Sequence, residues 1–155
     1  MHAAEHSAAT FYTANRDHLA WPAIEILARM RHTLLERLQE EIGSWQPKPV
    51  HASVFGSTAR GDGDARSDID ILLIRPGGIE EDESPWAEQV DDLRRRVPAW
   101  TGNRCQAFQV SLDRLAEHSA AGDPLVDSWV RDSITLVGAN LRTLLRRLPA
   151  AGDEQ

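Results

Sequence analysis

Two apolar runs separated by a glycine-serine turn constrain this chain most. The first runs from Val50 to Phe55, followed by Gly56-Ser57-Thr58-Ala59-Arg60-Gly61-Asp62; the second is Ser67-Asp68-Ile69-Asp70-Ile71-Leu72-Leu73-Ile74. Each run has the length and composition of a buried strand, and the turn between them leads into a short helical start. Glycine lets the backbone approach a ligand closely, and free N–H groups at such a turn suit a phosphate. Alternation along the second strand puts Asp68 and Asp70 on one face, with Ile69 and Ile71 on the other. Two carboxylates side by side repel unless a cation sits between them. Magnesium takes hard oxygen ligands, commonly one or two carboxylates together with a substrate's phosphates. A phosphate cradle beside such a pair is the equipment for transferring a nucleotidyl group. The competing reading, a surface turn and an edge strand with solvated aspartates, conflicts with the apolar continuation Leu72-Leu73-Ile74.

The wording "FGSTARGDGDARSDIDILLI" resembles the nucleotidyltransferase superfamily, which includes DNA polymerase beta, kanamycin nucleotidyltransferase and the minimal nucleotidyltransferases. That pattern is an apolar residue, Gly-Ser, a gap of about ten residues, then Asp-x-Asp in an apolar strand, here Phe55-Gly56-Ser57 and Asp68-Ile69-Asp70. The resemblance implies an α+β nucleotidyltransferase fold, Mg2+ held by Asp68 and Asp70 as the catalytic pair, and a nucleoside triphosphate as substrate. It also implies that Gly56 and Ser57 bind nucleotide phosphates. Arg60 either neutralises triphosphate charge or pairs with Asp62 or Asp64, and Ser67, grouped with the nucleotide-binding residues, orders the turn into the metal strand. Outside Phe55 to Ile74 the likeness is weaker. "DPLVDSWVRDSITLVGANLRTLLR" is similar to the closing helix, strand and glycine of small bacterial members, and "FYTANRDHLAW" to a linker that follows a winged helix in some.

Family catalysts use three carboxylates, the third on the neighbouring strand, where it helps hold a metal and acts on the attacking hydroxyl. By register, Gln106 of the strand Cys105 to Ser111 stands in that third-acid position. Glutamine accepts hydrogen bonds but carries no charge and is no base. Asp113 comes too late, and Asp91 and Asp92 lie in the preceding helix, expected to point elsewhere. Two readings follow: a transferase slowed by the missing acid, acting on a protein, tRNA or small-molecule acceptor, or a non-catalytic nucleotide-binding, antitoxin-like partner of another protein.

Composition narrows the field. At 155 residues, the chain is read as a single domain over 1–155, with 1–10 disordered, a helix over 22–42 and a core over 50–148. The formal net charge of −7 disfavours a large nucleic-acid partner, because such binding rests on neutralising phosphates. Arg94, Arg95 and Arg96, and Arg142, Arg146 and Arg147, are read as solvated helix faces. No apolar run is long enough to cross a membrane, no secretory signal opens the chain, and the lone Cys105 reads as a structural thiol of a reducing, cytoplasmic compartment.

Periodicity places the remaining elements. Ile24, Leu27, Arg31, Leu34, Leu35, Leu38 and Ile42 mark one helix face, started by Pro22 and stopped by Gly43. Ser84-Pro85 reads as cap and first turn of a helix that Pro98 ends. Arg104 to Ser111 reads as a strand, Leu112 to Ala120 as a helix, and Asp123-Pro124 as the start of another. Ser133 to Val137 is a short strand, and Leu141, Leu144, Leu145 and Leu148 are the stripe of a last helix. The fold expected is a small mixed sheet flanked by helices.

Overall fold

The computed structural model describes residues 13–64 and 66–148. The expectation for residues 1–10 lies outside them. Ten elements follow in order: α1 (Trp21–Gly43), β1 (His51–Phe55), α2 (Gly56–Arg60), β2 (Ile69–Ile74), α3 (Trp86–Thr101), β3 (Cys105–Val110), α4 (Leu112–Ala120), α5 (Pro124–Asp132), β4 (Ile134–Gly138) and α6 (Leu141–Arg147). The chain divides into two units at Met30 and Arg31, within α1. In the first, His18 Nδ1 accepts from the Ala20 N–H just ahead of α1, and the Arg16 guanidinium lies over the Trp21 ring. Ile24 and Leu27, read as part of the apolar stripe, are exposed there.

The second unit is α+β. Its four strands lie in the order β3-β2-β1-β4, with β1 antiparallel to both neighbours and β2 parallel to β3. The sheet is therefore mixed, as expected. Strand parity sorts the core into two layers. Ala52, Val54, Ile69, Ile71 and Leu73 pack with Leu38 and Ile42 of α1 and with Val90, Leu93 and Val97 of α3. Phe55, Leu72 and Ile74 pack on the other face with Leu115 of α4, Val126 and Trp129 of α5, and Leu141 and Leu144 of α6. Each fully buried Leu or Ile contributes about 2 kcal/mol, so β2, buried along nearly its whole length, anchors both layers.

Two expectations at α3 are corrected. Ser84 does not cap the helix: its hydroxyl donates to Glu88 Oε1 at 2.6 Å, and Trp86 opens the helix behind Pro85. Pro98 does not end it either. Burial of Val97 and the half-buried Trp100 carries the helix one turn further, to Gly102, whose N–H bonds back to the Pro98 carbonyl. Elsewhere the caps read from sequence form: Asp123 accepts from the Leu125 N–H on α5.

Candidate active site

The site gathers where β1 ends and β2 begins. Phe55 pairs with Asp70 across the antiparallel ladder, and the chain leaves β1 directly into Gly56. Gly56 has φ +67, and a Cβ placed on it would stand 2.6 Å from Asp70 Oδ2. Only glycine meets both conditions, the left-handed backbone and the close approach. The turn and the carboxylate thus touch. Ser57 follows at the first turn of α2, its hydroxyl facing the loop at Gly63, where an added Cβ would come within 3.1 Å.

Asp70 shares the parity of Leu72 and Ile74, so it sits on the α5 side of the sheet at the strand's start. Its carboxyl is pushed above the usual range first by burial, then by repulsion from Asp68, with Arg60 opposing both. Asp68 lies one residue ahead of β2 rather than inside the strand. Arg104 and Gln106 reach it from the β3 side: Arg104 Nε and Nη2 donate to its two oxygens at 3.3 Å, and Gln106 Nε2 to Oδ2 at 3.3 Å. Gln106 pairs with Asp70 in the parallel register and presents its amide to Asp68.

Arg60 pairs with Asp62 at 3.1 Å, as one expectation had it, and not with Asp64. It also lies 3.7 Å from Asp132 at the end of α5, whose carboxylate is bound by Arg131. Ser67 spends its hydroxyl inside the loop, donating to Asp64 Oδ1 at 3.1 Å and accepting from the Asp64 N–H at 2.9 Å. Asp64 is held below the usual carboxylate range chiefly by the Arg66 N–H and then by Ser67. Asn103 fastens this loop to β3, its side-chain amide donating to the Ser67 carbonyl at 2.8 Å.

Asp91 and Asp92 pair with Arg94 and Arg95 on α3, away from the site, and Asp113 sits in the first turn of α4. Sequence reasoning missed three side chains. Arg31 donates to the carbonyls of Thr58, at 2.9 Å, and Ala59, tying down α2; its signal was an arginine inside an apolar stripe. Asp132 backs Arg60, and Arg104 grips Asp68; neither had a local signal.

Asp68 and Asp70 supply hard oxygen donors, and the half-buried carboxylate of Asp70 accepts no hydrogen bond among the described residues. That donor set fits a magnesium ion completed by substrate phosphates. Among the described residues no group of three His, Cys, Asp or Glu could hold a metal by itself. Among the described residues, no helix is long and apolar enough to cross a membrane.

Solved structures similar to this chain include a toxin–antitoxin complex with AMP-PNP, 17% identical over 76% of this chain and 82% of that one, with a TM-score of 0.48. Another holds a tri-AMPylated HEPN toxin of Shewanella oneidensis in complex with MNT antitoxin, 13% identical over 74% of this chain and 80% of that one, with a TM-score of 0.47. No curated protein matches the sequence. The nucleotidyltransferase domain model matches residues 33–145, most of the chain and every site residue above except Arg31, and the chain belongs to that family.

Proposed function

We propose that this chain transfers a nucleoside monophosphate from a Mg2+-bound nucleoside triphosphate to an acceptor, which is a protein, a tRNA or a small molecule. One observation carries the reading: the Asp70 carboxylate lies against Gly56, which supports a single site built from a phosphate turn and a metal-binding acid. Asp68 and Asp70 would hold the ion, which when bound neutralises phosphate charge. The backbone at Gly56 and the Ser57 hydroxyl would bind the β- or γ-phosphate, and Arg60, steadied by Asp132, would face the triphosphate. Ser67 acts indirectly by fixing the loop that leads into β2. In the reaction the acceptor oxygen bonds to the α-phosphorus and the α–β bridging bond breaks. Pyrophosphate leaves, and the hydroxyl proton passes to water, since Gln106 is no base. Positioning and charge neutralisation dominate such transfers, so the lost acid slows the reaction without abolishing it.

A second reading has its own support. Donors from Arg104 and Gln106 engage Asp68 where a catalyst would place a third carboxylate, which suits a protein that binds nucleotide and a partner without turning over. Incubation with labelled ATP and Mg2+ separates the two. Pyrophosphate release or a labelled partner, lost in the Asp68→Asn/Asp70→Asn variant, supports transfer. Binding without release supports the second reading, and no binding at all defeats both.

A further inference from the structure

The strand beside the aspartates offers donors where a two-metal site would call for acceptors. The two Arg104 contacts fall on different oxygens of Asp68, the side-on arrangement of a guanidinium fork on a carboxylate. Gln106 adds its amide to one of the same oxygens. Arg104 is rooted one residue before β3 and Gln106 inside it, two positions on, so both project to the face where Gln106 meets Asp70 in register. The Arg104 side chain is 80% exposed and that of Asp68 27%, so the arginine reaches in from solvent over a partly covered acid. Two divalent ions a few ångströms apart need enough carboxylates to offset their charge. Here one of only two is already paired with a side chain that stays positive at any working pH and matches phosphate as well as carboxylate.

Given the triphosphate site proposed above, we propose that Arg104 is the resident second cation of this site. Its guanidinium offsets part of the Asp68 charge and meets the triphosphate, so the chain takes up one divalent ion with the nucleotide, held between Asp70 and Asp68, rather than two.

The test counts Mn2+ per chain by electron paramagnetic resonance, with the methylene-bridged analogues of ATP, GTP, CTP and UTP supplied in turn at saturation. One ion per chain is expected in the unaltered protein. Arg104→Ala is expected to weaken analogue affinity about tenfold at saturating Mn2+, the loss of one charge-assisted contact. Arg104→Lys should recover part of that loss, and Arg95→Gln, which removes a charge paired on α3, should leave affinity within about twofold. The Arg104→Ala/Gln106→Asp variant frees Asp68 and adds an acid, and should take up two ions. Two ions in the unaltered protein, or an Arg104→Ala affinity equal to that of Arg95→Gln, overturns the role of Arg104 while leaving the nucleotide site standing. Failure of every analogue to bind overturns both. Should the double variant not fold, the ion count of the unaltered protein and the Arg104→Ala affinity decide.

Discussion

At the scale of single residues, Gly56 is where sequence and chemistry meet most tightly. Its positive φ disfavours any side chain by about 1–2 kcal/mol. A methyl group there would also displace the Asp70 carboxylate. Gly56→Ala is therefore expected to lower triphosphate affinity at least about tenfold while the fold persists. Gly43→Ala, at a glycine with nothing within 4 Å, should change nothing in the same calorimetric titration. The side of the sheet that Asp70 takes was legible because side-chain direction alternates along a strand whatever its neighbours do, whereas Asp68, one residue ahead of β2, falls outside that rule. Arg104 was not legible. A long side chain crossing from the next strand leaves no periodic trace, and before folding it is one exposed arginine among many. Its presence sharpens what Gln106→Asp should do. The change removes a donor to Asp68 and sets a third carboxylate beside it, so without divalent ions stability should fall by about 1 kcal/mol. With Mn2+ present, metal affinity should rise and the stability loss should reverse. A variant indifferent to Mn2+ in both thermal unfolding and titration would mean that position 106 takes no part in the site.

Among the elements, β1 holds the centre of the sheet between two antiparallel neighbours, and its pairing with β4 depends on features that sequence periodicity does not carry. His51 is fully buried, its Nδ1 2.7 Å from the Ala139 carbonyl and its Nε2 2.9 Å from Ser53 Oγ, pinning the strand to the turn after β4. Burial lowers the His51 pKa below its ordinary 6.5. The unfolded chain then binds the proton more readily, so stability is full above about pH 6.5 and falls as pH drops below it, by at most about 1.4 kcal/mol per unit. Urea midpoints at pH 7.5 and 5.5 should show this decline, and His51→Gln should flatten the His-dependent part. Gly138 sets the other limit. With φ +80 and a would-be Cβ 2.1 Å from the Val50 carbonyl oxygen, Gly138→Ala should cost at least about 3 kcal/mol, read as a fall in the urea midpoint. Helix ends show why part of the element map was hidden. Proline reads as a helix stop in isolation, yet around Pro98 the buried face of α3 outweighed the missing hydrogen bond, a tertiary effect with no local signature.

For the whole molecule, binding and folding share one free-energy balance at this site. Two carboxylates held together are a cost to the empty fold. Asp70 has its pKa raised, so its contribution to stability is present below its ordinary value of 3.8 and is lost as pH climbs through the folded-state value. At neutral pH, Asp70 therefore works against folding, a cost that a bound cation would offset. The Asp68→Asn/Asp70→Asn variant is accordingly expected to unfold no earlier than the unaltered protein when both are free of ligand, even though Asp68 gives up its pairing with the exposed Arg104. Adding Mg2+ and triphosphate together should then reverse the order. At a ligand concentration about a hundredfold above Kd, the unaltered protein gains about 2.7 kcal/mol and the variant gains nothing. Differential scanning calorimetry with Mg2+ alone, nucleotide alone and both separates the contributions. Stabilisation by nucleotide alone, equal in the two proteins, would place the phosphates on the turn without the aspartates and remove the metal from the site. A rise that needs both ligands and both aspartates ties the acid pair, the glycine turn and the surrounding sheet into one binding unit.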